Sequence, residues 1–331
     1  MEHAFRRAVS AMFSAWRFSA CGKGLAITSA AEAGIIQTLN APLKQCSTLC
    51  TNCETAIAAI CQRQPALRLI PFRHMPLQTI DDVIGALDAI IQRSWDEQSR
   101  LGYFAALYRR VTRAVRDGIS KSQFSDGPLM EKLDVVFASR YLDALTAYQS
   151  HGKLSRCWKV AFDACTDDTR LILQHLLAGM NAHINLDLGV AAAQVSPGDQ
   201  LPHLKADFDQ INVVLAAQVG AVEDEMSSVS ALVQGVSFVG AESETKVINF
   251  NIDLARQTAW FTAEHMANEP ARLHGITIDG LDLAVSLQGR AVLYPPCKPE
   301  ALHALRVLEP QDVRSVIEIL SEDPVPSPTP V

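Results

Sequence analysis

The stretch DTRLILQHLLAGMNAHINLDLGVAAA, residues Asp168–Ala193, decides the fold of this chain. Its almost uninterrupted apolar character predicts one long helix that lies deep in a core. The same helix carries two imidazoles and a carboxylate, His175, His183 and Asp187. Buried ionisable groups need partners, a metal ion or a shifted pKa. The segment therefore predicts both a helical core and the place of a candidate site.

The spacing of these polar residues indicates how they share the helix surface. His183 and Asp187 are four residues apart and should lie one above the other on one face. His175 lies two turns earlier, about 80° around the helix from His183 at roughly 100° per residue. The H-x-x-x-D pair resembles one that supplies two zinc ligands in all-helical zinc phosphoesterases of the phospholipase C and P1 nuclease type. A buried His beside an Asp is also typical of a hydrogen-bonded pair that only fixes packing.

Apolar residues at helical spacing continue over most of the region from Met75 to Leu320. No run of alternating residues predicts a strand, so we expect an all-α multi-helix bundle with a buried polar cluster on its central helices. The expected single domain covers residues 75–322, and the Pro-rich residues 323–331 are expected to be a disordered tail. Besides the central helix and a first helix that starts after Thr79, the predicted helices are Leu101–Asp117, Leu129–Gln149, Arg156–Cys165, Leu204–Met226, Glu244–Asn268, Leu281–Leu293 and Gln311–Leu320.

Polar residues on other predicted helices supply further candidates for the site. Asp134, Arg140 and Tyr141 lie on the helix that follows Pro128. Bundle cores build metal sites from side chains that project inward from different helices. We therefore predict that His183, Asp187 and Asp134 bind a divalent metal (zinc, iron or manganese), with His175, Arg140 and Tyr141 as catalytic groups. Two further sets receive structural interpretations, namely a packing role for Trp158 and a solvated face for Arg109, Arg110, Arg113 and Arg116.

Composition excludes some classes of function. The 331-residue chain is 48% hydrophobic, with a formal charge of −7, and the excess of acid lies after residue 74. An acidic body argues against general nucleic-acid binding, which needs clustered Lys and Arg to neutralise phosphates. No apolar run reaches the roughly 18–20 residues of a membrane span. With no secretory signal in the sequence, a cytoplasmic location is the expectation.

The first 74 residues differ from the rest in charge and cysteine content. They hold 8 basic and 3 acidic residues and five of the eight Cys. Cys46, Cys50 and Cys53 form a C-x3-C-x2-C cluster similar to the iron–sulfur motif of radical enzymes that use S-adenosylmethionine, and a zinc knuckle with Cys61 is the alternative. The favoured interpretation is a poorly ordered basic extension. Translation from Met75 and a transit peptide remain open as alternatives.

Several long segments of the body resemble an uncharacterised, mainly bacterial family, the domain-of-unknown-function family numbered 5995. The resemblance covers about Met75–Leu320 and implies an all-helical fold without an assigned activity. The segments are RLGYFAALYRRVT (Arg100–Thr112), DGPLMEKLDVVFASRYLDAL (Asp126–Leu145), LQHLLAGMNAHINLDLGVAAA (Leu173–Ala193), INFNIDLARQTAW (Ile248–Trp260) and GRAVLYPP (Gly289–Pro296).

Three functional hypotheses follow from the sequence. The first is a metal-dependent hydrolase, in which the metal lowers the pKa of a bound water. The second is a non-catalytic helical module that binds a small apolar ligand or a partner, with a structural polar network. The third is a metal-free enzyme that uses His183 and Asp187 as an acid–base pair.

Overall fold

The computed structural model describes residues 77–214, 241–295 and 299–321, which all belong to one compact unit. Every regular element in these ranges is a helix, so the predicted all-α fold class is confirmed. The predictions for residues 1–74 and 323–331 lie outside the described residues. None of the described helices combines the length and the apolar character that a membrane crossing requires.

Within each described range, the helices follow one another with short connections. A further helix covers 201–214 within the described residues and is called α7. The others are α1 (Ile80–Asp96), α2 (Leu101–Ser120), α3 (Gly127–Gln149), α4 (Arg156–Ala164), α5 (Ile172–Ala182), a π-helical turn (His183–Leu188), α6 (Gly189–Val195), α8 (Ala241–Asn268), α9 (His274–Leu293), α10 (Pro299–Leu308) and α11 (Val313–Ser321).

Local sequence signals place the first helices. Thr79 caps α1 with a full capping box, in which its hydroxyl accepts from Asp82 N and the Asp82 carboxylate accepts from Thr79 N. Asp126 caps α3, where Pro128 stands in the first turn. Gly102 lies where the carboxyl end of α1 approaches α2. A Cβ atom at this position would lie only 2.7 Å from side-chain carbons of Ser94 and Ile317, so a larger residue would not fit. Helices α1, α2 and α11 therefore meet closely at this point.

The central segment joins two groups of buried apolar side chains. Leu176, Ala182 and Leu186 belong to a group built mainly with α1, α2, α3, α4, α9 and α11. Leu188 and the residues of α6 belong to a second group, with α3, α7 and α8. The prediction that this segment lies at the centre of the core is therefore confirmed.

The prediction of one continuous α-helix over Asp168–Ala193 is wrong in two respects. The helix begins only at Ile172, because Leu171 is extended and its N–H donates to the Gln174 side chain. The turn His183–Leu188 is π-helical, and α6 then runs on to Val195. A π turn inside an α-helix is rare and is frequently found at functional sites.

The prediction that four arginines on α2 form a solvated face is also wrong for two of them. Arg109 and Arg110 are 6% and 5% exposed. Arg109 pairs with Asp88 and donates to Ser321 O at 2.7 Å, so its charge holds α1, α2 and the end of α11 together. Other bounds also shift, because α9 begins at His274 and α10 was not predicted. The part of the predicted helix Leu204–Met226 beyond residue 214 lies outside the described residues.

Candidate functional site

Asp187, in the π-helical turn, is the centre of a buried hydrogen-bond network. Its Oδ1 accepts from Arg140 Nε at 2.9 Å, and its Oδ2 accepts from Trp158 Nε1 at 2.8 Å. His183 Nδ1 lies 3.4 Å from the same Oδ2. The carboxylate is 1% exposed, so these three groups from α3, α4 and its own turn replace water. The structure therefore brings together three of the candidate site residues, His183, Asp187 and Arg140.

His183 lies in a cage of aromatic rings. It stacks on Phe137 with ring centroids 3.6 Å apart and planes 7° from parallel, and the edge of Tyr108 approaches to 4.5 Å. Three further rings surround the imidazole at centroid distances from 5.7 to 6.1 Å, namely Phe104, Tyr141 and Trp158. Phe137 and Arg140, one turn apart on α3, are only partly buried, so the cage borders the surface on this side.

Burial fixes the protonation state of His183. Desolvation lowers the pKa of its imidazole, and the nearby Asp187 carboxylate only partly opposes this effect. The ring is therefore neutral at neutral pH, with its one N–H at Nδ1 if the contact with Asp187 is a hydrogen bond. Its Nε2 is buried and has no hydrogen-bond partner among the described residues. The lone pair of His183 Nε2 is then available in the cage to accept a hydrogen bond or a proton.

Two further polar atoms without partners are found beside the cage. The hydroxyl of Tyr108 and Oδ2 of Asp134 are buried, and neither makes a hydrogen bond within the described structure. Burial, and next the negative charge of Asp134, raise the pKa of Tyr108 well above its usual value. Burial and the charge of Glu131 raise the pKa of Asp134 to about 7. Asp134 can thus change charge near neutral pH, whereas Tyr108 stays protonated.

The remaining predicted residues are placed differently. Tyr141 is 1% exposed and belongs to the cage wall, where burial raises the pKa of its hydroxyl. His175 is equally buried, but its ring contacts Tyr103 edge-on at 5.9 Å and has no ring contact with the cage. The sequence therefore grouped His175 with residues that the fold keeps apart from it.

The donor set does not have the arrangement of a metal centre. Among the described residues, no three His, Cys, Asp or Glu side chains converge as a metal site requires. Asp187 already accepts from a guanidinium, and a cation at this carboxylate would face the positive charge of Arg140. The predicted metal ligands His183, Asp187 and Asp134 thus stay a prediction that this geometry does not favour.

Sequence reasoning missed the aromatic cage and the role of Trp158. Its indole N–H needs an acceptor when the ring is buried, and Asp187 is that acceptor. This requirement was a usable signal, because Trp158 follows a Ser cap on a short amphipathic helix and is 2% exposed. The position of Phe137 against His183 had no comparable signal, since it depends on how α3 packs on the π turn.

Comparison with known proteins gives a family but no activity. A search of curated proteins and a search of solved structures found no match. The model of a family of unknown function, DUF5995, matches residues 80–295, which include all of the caged residues. The chain therefore belongs to the DUF5995 family.

Proposed function

We propose that this chain is a metal-independent acid–base enzyme, with hydrolysis as the first reaction class to test. The observation that carries the proposal is the state of His183: Nδ1 is held by Asp187, while Nε2 has no partner in a buried aromatic cage. A neutral imidazole oriented in this way is a general base. It would accept a proton from water as the water attacks an electrophilic carbon or phosphorus.

The network around Asp187 supports a positioning role for this carboxylate. Arg140 and Trp158 fix both oxygens, so the carboxylate cannot rotate freely against the imidazole. Asp187 then selects the tautomer with the proton on Nδ1 and stabilises the imidazolium that forms after proton transfer. Asp187 does not itself exchange the proton.

Asp134 and Tyr108 supply groups that could protonate a leaving group. With a pKa of about 7, Asp134 is divided between its acid and base forms at neutral pH, as an efficient general acid requires. The pKa of Tyr108 is far higher, which favours a role as hydrogen-bond donor to developing negative charge. Titratable groups with separated pKa values in one place are typical of active sites.

A hydrolysis assay on the full chain tests the proposal. The substrates are a panel of p-nitrophenyl esters and phosphates, each with and without EDTA. We expect turnover that survives EDTA, falls at least about 100-fold in His183→Gln, and is kept in the matched control His203→Gln, whose side chain is exposed. Turnover that EDTA abolishes and zinc restores would support the metal-dependent hypothesis instead.

One observation favours the competing structural hypothesis. Asp187 uses both oxygens in buried hydrogen bonds, as a carboxylate that fixes packing would. On that hypothesis His183→Gln lowers the free energy of unfolding by about 1–3 kcal/mol, and no substrate of the panel is turned over.

A further inference from the structure

A second group of unpaired polar atoms lies at the amino end of α2, away from the cage. Arg100 directly precedes α2, and Tyr103 follows it by one turn. The Tyr103 ring contacts His175 of α5 edge-on at 5.9 Å. Arg100 also approaches the end of α4, where its Nη1 lies 3.4 Å from Cys165 O. Three helices thus bring a guanidinium and an imidazole into one region.

Within the described part of the chain, Arg100 is a cation that has no carboxylate partner. Its Nε is buried and has no hydrogen-bond partner among the described residues, which also provide no ion pair for it. The neighbouring arginines differ, because Arg170 pairs with Asp167 at 2.8 Å and Arg306 donates to Asp168 O at 3.0 Å. A partly buried guanidinium normally has an acidic partner or several carbonyl acceptors, and the one long contact to Cys165 O falls short of both.

The His175 side chain also lacks hydrogen-bond partners among the described residues, and it is more deeply buried than Arg100. It is 4% exposed, and neither Nδ1 nor Nε2 has a hydrogen-bond partner in the described structure. Burial and the positive charges of Arg100, Arg306 and Arg170 lower the pKa of this imidazole to about 3, with Asp167 opposing them. The ring is therefore neutral and still carries one N–H that can donate.

We propose that Arg100 and His175 form a binding site for a small oxyanion, a carboxylate or phosphate group carried by a metabolite or free in solution. Arg100 Nε and the His175 ring nitrogens have no partner in the described protein. Arg100 adds a positive charge that no described carboxylate offsets, whereas Arg170 pairs with Asp167 and Arg306 with Glu309. Guanidinium N–H groups match the geometry of oxyanions, and charge-assisted hydrogen bonds of this kind are the strong ones. Because Arg100 is only partly buried, an anion would enter from its side. The site is separate from the His183 cage and does not depend on the function proposed there.

Calorimetric titration of the full chain with inorganic phosphate, and separately with acetate, tests this site. We expect saturable binding of at least one anion with a dissociation constant of about 1 mM or tighter. The binding should weaken at least about tenfold in Arg100→Gln and in His175→Gln. It should be unchanged in Arg116→Gln, which removes an exposed arginine from the same helix.

Comparison of the two anions identifies the ligand, and a conservative variant tests the role of the Arg100 guanidinium. Binding of phosphate alone or of acetate alone identifies the oxyanion that the site takes. Arg100→Lys keeps the charge without the planar fork, so it should fold and bind with intermediate affinity. The proposal is overturned if neither anion binds saturably, or if folded Arg100→Lys and His175→Gln bind as tightly as the wild type.

Discussion

At the scale of single residues, the Asp187 carboxylate links three elements, because it satisfies donors from two other helices. Arg140 and Trp158 would both lose their acceptor without it. Removing one partner of a buried charged network is costly since the other charge stays behind without compensation. Asp187 therefore stabilises the fold, and under the proposed function it would also position His183.

Asp187→Asn is expected to lower the free energy of unfolding by about 3 kcal/mol, the low end for a broken buried ion pair. The low end applies because the Arg140 side chain is 26% exposed and can regain water. Urea denaturation followed by circular dichroism measures the change. Asp163→Asn, in the exposed pair with Lys159, is the control and should change stability by less than about 1 kcal/mol. Equal effects of the two substitutions would contradict the network.

Asp134 is expected to make the wild-type protein less stable as pH rises. Its folded pKa of about 7 lies above the unfolded value of roughly 3.9, so the folded state binds the proton more tightly. The contribution is therefore lost between about pH 4 and pH 7 and is constant above. Asp134→Asn should be more stable than the wild type at pH 8 by a few kcal/mol, on the order of 1.4 per pKa unit, and the difference should shrink towards pH 4. Unfolding curves at several pH values measure it, and a difference that does not vary with pH would contradict the shifted pKa.

The residues of the site were predictable to different degrees. The His183–Asp187 pair and Arg140 could be predicted because an apolar helix must pair its buried charges. The separation of His175 from His183 was also predictable, since eight residues of ordinary α-helix lie between them and place the two rings roughly 12 Å apart along the axis. Phe137 lies against His183 through tertiary packing alone, which no local pattern in α3 indicates.

At the scale of elements, the central segment depends on a very close approach between α6 and α8. A Cβ atom at Gly189 would lie 2.5 Å from the carbonyl oxygen of Ala259 and 2.8 Å from Thr262 Cβ. Backbone cannot move aside as a flexible side chain can. The first residue after the π turn is therefore one at which only glycine fits.

Gly189→Ala is expected to destabilise the protein by about 1–3 kcal/mol, because α6 and α8 must separate to admit the methyl group. Gly85→Ala in α1 is the matched control, since nothing lies within 4 Å of the added atom. That substitution should stabilise α1 by about 0.5–1 kcal/mol through helix propensity. Thermal unfolding of both variants distinguishes the effects, and a neutral Gly189→Ala would show that the helices are not in close contact.

Helix starts were predictable where a cap marks them, and the predicted ends at Gln149, Asn268 and Leu293 were also correct. Thr79 gave the correct start for α1, and the Asp126-Gly127-Pro128 turn placed the start of α3 at Leu129, within two residues of Gly127, since side-chain and ring effects act within one turn. The arginines of α2 were misplaced because an amphipathic pattern cannot distinguish an exposed guanidinium from one that a later helix covers. For Arg109 that helix is α11, more than 200 residues along the chain.

At the scale of the whole molecule, the core extends beyond the range that the family model matches. That range ends at residue 295, yet α11 places Val313, Val316, Ile317 and Leu320 against α1 and α2. Trp95 Nε1 also donates to Glu318 at 2.8 Å. The bundle therefore depends on a helix that lies outside the matched segment.

Ile317→Ala is expected to lower the free energy of unfolding by about 2–5 kcal/mol, because the side chain is 0% exposed and its loss leaves a cavity. Val307→Ala, in α10 and 63% exposed, is the control and should stay within about 0.5 kcal/mol. Chemical denaturation of the full chain measures both. A small effect at Ile317 would mean that α11 can detach while the rest of the bundle stays folded.

The stack of Phe137 on His183 has a spectroscopic consequence. An imidazole 3.6 Å above a parallel benzene ring lies in the shielding region of that ring's circulating electrons. The carbon-bound protons of His183 should therefore resonate upfield of those of the exposed His203, at chemical shifts that depend steeply on the distance to Phe137. A molecule that enters between the two rings would return these chemical shifts to ordinary values. The His183 proton shifts therefore show directly whether the cage is occupied.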